Sequence, residues 1–167
     1  MIHIYCGDGK GKTTASVGLA MRMAGYNKRV LFIQFLKGSY TGELEALDRE
    51  KNITVMRCDE NYGFFRSMSE EDKENIIKCH NKNLLYAKEN ADKFDMIVLD
   101  EIFAAYNYGL TDKDIVREIV KDYGGELVMT GRGPDRFFTE KADYVSEIKK
   151  IKHPYDRGIT ARKGIEF

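Results

Sequence analysis

The stretch Cys6-Gly7-Asp8-Gly9-Lys10-Gly11-Lys12-Thr13-Thr14 restricts the fold of this chain more than any other. An apolar, strand-like run, Ile2-His3-Ile4-Tyr5, precedes it, and a helical pattern over residues 13–24 follows. Glycines between a strand and a helix let the backbone curl until successive N–H groups point inward. The helix N-terminus adds partial positive charge, so such a turn accommodates phosphate oxygens. Lys12 brings a full charge, and Thr13 brings a hydroxyl where a phosphate-bound Mg2+ needs a ligand. The general motif leaves four residues between its first glycine and Gly-Lys, which would call for glycine where Cys6 stands. Counted from Gly7, the loop is one residue short. A glycine-rich turn before a surface helix would not call for Gly-Lys-Thr-Thr at the helix start, so the stretch reads as a triphosphate site.

A second landmark is Asp95-Met96-Ile97-Val98-Leu99-Asp100-Glu101. Four apolar residues ending in two acids form the strand end that partners a phosphate loop. A carboxylate there holds Mg2+ directly or through water, or orients an attacking group. Arg132, between Gly131 and Gly133 after a strand at residues 126–130, is expected to clamp phosphate rather than to sit in a solvated turn.

The rest of the chain supplies the frame. A continuous apolar run, Val30-Leu31-Phe32-Ile33, reads as a strand covered on both faces. The first helix is expected to end at Gly25, in the left-handed position that follows many helices. A short helix over 43–50 and a strand over 53–57 come next. Ser69 begins a long helix with Asp72 as its capping partner, and His80 falls on that helix's apolar stripe as a satisfied, partly buried histidine. Thr111 and Asp114 are expected to cap a helix ending at Gly124-Gly125; a helix over 135–142 and a last strand within 143–151 complete the order. Tyr62, Phe64 and Phe65 occupy an irregular stretch and are either plugs for the core or a wall for a large planar ligand. Strands alternating with helices predict an α/β fold, a parallel sheet with helices on both faces. All 167 residues are expected to form one nucleotide-binding domain.

Lys+Arg and Asp+Glu are each 27, which argues against a nucleic-acid binder relying on bulk positive charge. The apolar runs are strand-sized and far below a membrane span, and no signal peptide is recognised, so a cytoplasmic protein is expected. Cys6, Cys58 and Cys79 lack paired spacing and are expected to remain thiols, with neither a disulfide nor a zinc site.

Five stretches together carry a resemblance. They are Gly7 to Thr14; Gln34-Phe35-Leu36-Lys37-Gly38; Val98-Leu99-Asp100-Glu101; Thr130-Gly131-Arg132-Gly133; and the tail, Ile151-Lys152-His153-Pro154-Tyr155-Asp156-Arg157-Gly158 with Ala161-Arg162-Lys163-Gly164-Ile165-Glu166-Phe167. Over almost its whole length the chain resembles the P-loop ATP:corrinoid adenosyltransferases. The shortened loop and the Lys-His-Pro tail are far more specific than a phosphate loop alone.

The resemblance implies a P-loop NTPase fold of RecA-like type and a particular chemistry. A Co(I) corrinoid, cob(I)alamin or cob(I)yrinic acid a,c-diamide, attacks the 5′ carbon of ATP and expels triphosphate. The nucleotide lies in the loop in the reverse of the usual sense. Gly7, Asp8, Gly9, Lys10, Gly11, Lys12, Thr13, Thr14 and Arg132 would hold ATP. Thr13 and Glu101 would ligate Mg2+ or Mn2+, with Asp100 behind them; Lys12, Arg132 and Glu101 would carry catalysis, and Phe64 would lie beside the corrinoid. A homodimer is implied, and a flavin-type reductase is compatible with the chemistry as electron source.

The family's Gly-Phe-Thr-Trp is replaced here by Gly63-Phe64-Phe65-Arg66, in a chain without tryptophan. That change touches the aromatic pair by which the family displaces the lower ligand of cobalt. An ordinary P-loop ATPase or phosphotransferase, and a non-catalytic nucleotide- or corrinoid-binding module, remain the competing readings.

Overall fold

The structure, a computed structural model, describes residues 1–38, 40–60, 62–63 and 65–166. Phe64 lies outside the described residues. Strand β1 (Ile2–Cys6) leads through the glycine loop into α1 (Lys12–Gly25), then β2 (Val30–Gln34), α2 (Gly42–Asp48) and β3 (Ile53–Arg57). The long helix α3 (Glu70–Glu89) returns the chain to β4 (Met96–Asp100), followed by α4 (Ile102–Asn107) and α5 (Lys113–Asp122). Strand β5 (Glu126–Thr130), α6 (Arg136–Lys141) and β6 (Tyr144–Glu147) follow.

The six strands form one sheet in the order β3-β2-β4-β5-β1-β6, with every neighbouring pair parallel. The expected α/β class is therefore met. Alternation along the strands sorts side chains between two faces. Val30 and Phe32 of β2 and Met96 and Val98 of β4 pack with Ala20 and Ala24 of α1 and Leu47 of α2. Leu31, Ile33, Ile97 and Leu99 point the other way, against Leu84 of α3, Phe103 of α4, Val116 of α5 and Phe138 of α6. All five residues of β2 and of β4 are buried, which is why both read as unbroken apolar runs. Burying one such Phe, Ile or Leu side chain is worth roughly 1.5–3 kcal/mol.

The capping box at the start of α3 is present, with Ser69 Oγ accepting from the Asp72 N–H while the Asp72 carboxylate accepts from the Ser69 N–H. Three local expectations are corrected. Gly25 is the last residue of α1, and Asn27 takes the left-handed conformation at φ 58, which asparagine tolerates better than most residues. Helix α5 is capped by Asp112, whose carboxylate accepts the Asp114 and Ile115 N–H groups, while Thr111 is buried. Cys58 and Cys79 form a disulfide; the end of β3 and the middle of α3 converge, with their Cα atoms 6.0 Å apart. Cys6 is a free, buried thiol, as expected.

Candidate nucleotide site

The site is built where β1 and β4 end on the same edge of the sheet, the usual ligand edge of a parallel α/β fold. Gly7 at φ 103 and Gly11 at φ 117 give the loop its curl, and Gly11 is the N-cap of α1. The loop is also fixed from outside. Its Gly9 N–H donates to the Ile148 carbonyl at 2.8 Å, and the Ile148 N–H donates to the Cys6 carbonyl at 2.8 Å. The Asp8 carboxylate accepts the Lys150 N–H at 3.0 Å, and that bond, more than any other influence, holds its pKa below the ordinary value. Residues 148–150 thus run along the loop as a continuation of β6.

Lys12 is 7% exposed, and its Nζ donates to the Gly9 carbonyl at 2.9 Å. Thr13, at the start of α1, donates from Oγ1 to the Asp100 carboxylate at 2.9 and 3.2 Å. Asp100 is fully buried, and two further groups hold it. Thr130 Oγ1 at the end of β5 donates to Oδ1 at 2.7 Å, and Lys37 Nζ lies 3.0 Å from Oδ2. The same Thr130 oxygen accepts the Glu101 N–H at 2.9 Å. Glu101 adopts φ 62 just after the strand ends, and it lines the cavity. Burial, and then the neighbouring Asp100 charge, raise the Glu101 pKa.

Asp8, Gly9, Lys10, Gly11, Thr14 and Arg132 line one cavity of about 750 Å3 together with Lys12, Thr13 and Glu101. That volume is within the range of small-molecule sites. The tail closes one side through His153, Gly164, Ile165 and Glu166. Gly7 is not part of the lining; its α-carbon faces the Ile148 backbone, where no side chain fits. Asp100 lies beneath the cavity floor rather than in it.

Two contributors, Lys37 and Thr130, lie in quoted stretches but were given no role from the sequence. Lys37 reaches Thr13 Oγ1 at 3.2 Å and Glu43 Oε1 at 3.4 Å as well as Asp100. Burial works against its charge, but Asp100, Glu43 and Glu101 more than offset this, and its pKa is raised. Its one legible signal is a lysine directly after an apolar strand, in Gln34-Phe35-Leu36-Lys37-Gly38. Thr130 gave no signal beyond its place at a strand end, in Thr130-Gly131-Arg132-Gly133. His80 was expected to be buried and satisfied, and it is. Its Nδ1–H donates to the Leu110 carbonyl at 2.9 Å, and Nε2 accepts the Leu36 N–H at 3.4 Å. Burial lowers its pKa to about 4, so the imidazole is neutral.

Tyr62 and Phe65 pack on a small cluster of Met68, Ile76 and Leu110, the core-plug alternative, although Phe65 also stacks on the half-exposed Tyr108 ring at 4.4 Å. No helix among the described residues is long and apolar enough to cross a membrane.

A glycine loop opening a helix, with an acidic strand end hydrogen-bonded to the Thr of Gly-Lys-Thr, defines the class of P-loop nucleotide-binding proteins. Within that class, the chain belongs to the ATP:corrinoid adenosyltransferase BtuR/CobO/CobP family, whose model matches residues 1–167. It is 34% identical to the corrinoid adenosyltransferase of Escherichia coli (strain K12), over all of this chain and 85% of that protein. Corrinoid adenosyltransferase CobA of Salmonella typhimurium (strain LT2) is 32% identical over the same shares. The Pseudomonas aeruginosa corrinoid adenosyltransferase is 30% identical over all of this chain and 83% of its own length. The activity is ATP-dependent adenosylation of corrinoids.

Proposed function

We propose that residues 1–167 work as one unit in which the cavity holds ATP with its triphosphate on the glycine loop and its 5′ carbon open to a corrinoid. The Co(I) centre supplies an electron pair, the Co–C5′ bond forms, and the C5′–O bond breaks. Triphosphate leaves with the bonding pair. Co(I) is itself a strong nucleophile, so the reaction calls on the protein for alignment and charge stabilisation, not for a general base.

Loop N–H groups, Lys12, Lys10 and Arg132 would meet the charge that gathers on triphosphate. Thr13 and Glu101 would hold Mg2+ or Mn2+, with Asp100 orienting Thr13. These hard oxygen donors suit such an ion. When bound, the ion would neutralise part of the phosphate charge. A loop shortened by one residue changes which phosphate its N–H cradle fits and supports the reversed nucleotide. The observation that carries the reading is the 2.9 Å bond from Thr13 to Asp100, which sets the loop and the acidic strand end as one constellation. A cytoplasmic homodimer, served by a flavin-type reductase, completes the reading.

The test is a product assay with ATP, Mg2+ and a chemically reduced corrinoid, run on cobalamin and on a base-free corrinoid side by side. An adenosylated corrinoid with stoichiometric triphosphate is the expected result. ADP with phosphate would overturn it in favour of an ordinary ATPase, and binding without turnover would point to a non-catalytic module.

A further inference from the structure

The Lys37 ammonium sits among three oxygens of the site. It lies 3.0 Å from Asp100 Oδ2, 3.2 Å from Thr13 Oγ1 and 3.4 Å from Glu43 Oε1. These oxygens come from three elements, the end of β4, the start of α1 and the start of α2. A set of hard oxygens around one positive charge is also what a divalent cation seeks. Thr13 is the sharper point. Its hydroxyl donates its hydrogen to Asp100 and accepts from Lys37, so one of the two lone pairs that could ligate a metal is turned toward the ammonium. An ammonium and a dication in contact with one hydroxyl oxygen repel each other strongly in a partly buried site.

The backbone presents Lys37 there by design of the fold. The preceding residue, Leu36, is held at φ 59, an unfavourable conformation for a leucine, and its N–H is tied to His80. That fixes where the chain turns after β2, and the lysine side chain follows. Lys37 also lines the same cavity as Lys12, Glu101 and Arg132, so an ammonium leaving the three oxygens remains within the cavity.

We infer that Lys37 is a tethered competitor of the nucleotide's divalent cation: its ammonium and the metal take turns on the Thr13 hydroxyl oxygen, so the ion is admitted only together with ATP. On arrival of the metal–ATP complex the phosphates give the displaced ammonium a new partner, and Lys37 joins Lys12 and Arg132 on the triphosphate. A free divalent cation offers no such partner and is refused. The inference rests on the proposed use of Thr13 and the acidic strand end for the metal, but it needs neither corrinoid nor turnover.

The experiment is therefore a binding measurement. Mn2+ is titrated into the full chain without nucleotide, with free Mn2+ read by electron paramagnetic resonance, for the wild type and for Lys37→Met. The variant keeps the apolar stem and removes the charge. It is expected to bind Mn2+ at least about tenfold more tightly than the wild type, and Mn2+ is expected to raise its melting temperature more. Equal Mn2+ affinity in the two chains would overturn the inference. Should Lys37→Met not fold, the wild type alone decides, because Mn2+ binding as tight without ATP as with it overturns the competition. A chain that passed this test but made ADP in the product assay would lose the adenosyl-transfer reading and keep this one.

Discussion

The Leu36 N–H donates to Nε2 of His80 at 3.4 Å, so a buried imidazole on α3 steadies a strained residue at the exit of β2. The bond needs His80 neutral, and burial keeps it so by lowering its pKa to about 4 from an ordinary 6.5. Between those values the unfolded chain binds more protons at this residue than the folded one. Stability from His80 is therefore fully present above pH 6.5 and is lost as pH falls toward 4, by on the order of 3 kcal/mol. Urea unfolding from pH 4 to 8 should show His80→Phe less stable at pH 7 and with a flatter pH dependence than the wild type. Parallel pH profiles for the two chains would remove His80 from this role.

Thr130 gives its hydrogen to Asp100 and takes one from the Glu101 N–H. Thr130→Val keeps the shape and leaves a buried N–H without its partner, at a cost of about 1–3 kcal/mol. Because Thr130 orients both acids, adenosylation should fall about 10–100-fold, the usual effect of removing a partner that positions a ligand. Thr130→Ser should recover most of that loss. Steady-state kinetics with unfolding curves distinguishes the outcomes, and a Thr130→Val enzyme of full activity would refute the positioning role of Thr130.

Two glycines near the start of the chain should respond in opposite directions. A Cβ on Gly9 would stand 2.7 Å from the Ile148 carbonyl oxygen, against backbone that cannot yield cheaply. Gly9→Ala should break the Gly9–Ile148 bond and raise KM for ATP. Gly18, exposed within α1, has open space around its Cβ position, and Gly18→Ala should stabilise by about 0.5–1 kcal/mol. Thermal melts and ATP titrations check both, and a Gly9→Ala chain with unchanged KM would show that the loop tolerates separation from its neighbour.

The Cys58–Cys79 pair closes a loop across a sequence separation of 21. On the chain-entropy view a closure of that size contributes about 3 kcal/mol. Unfolded without reductant, the protein should show one reactive thiol, Cys6, and after reduction three. Three thiols before reduction would mean that the bridge does not form.

What could be read from residues alone depended on whether the signal was local. β2 and β4 were legible because strands covered on both faces are apolar throughout, and Ser69 with Asp72 marked the start of α3 because a capping box lies within one turn. The phosphate loop and the Asp100–Glu101 strand end were legible for the same reason. Helix α4 was missed: six residues are too few for a helical period, and it begins only because Glu101 turns the chain at φ 62. Asp112 and Thr111 are adjacent cap residues of similar chemistry, and only burial of Thr111 separates them. The partners of Lys37 lie 6, 24 and 63 positions away in sequence, and the Cys58–Cys79 bridge depends on β3 and α3 converging. No spacing rule reaches such pairings.

β1 is flanked by β5 and β6, and residues 148–150 hold the loop that follows it. β1 thus finds its neighbours only across long separations, such as the 141 positions from Ile2 to Asp143. Contacts this remote form late and slowly. Without residues 148–150 the glycine loop would be whole in sequence but would lack the backbone partners of Cys6, Asp8 and Gly9 that hold it. The setting of the glycine loop is thereby tied to the docking of residues 148–150 rather than to the loop's own sequence.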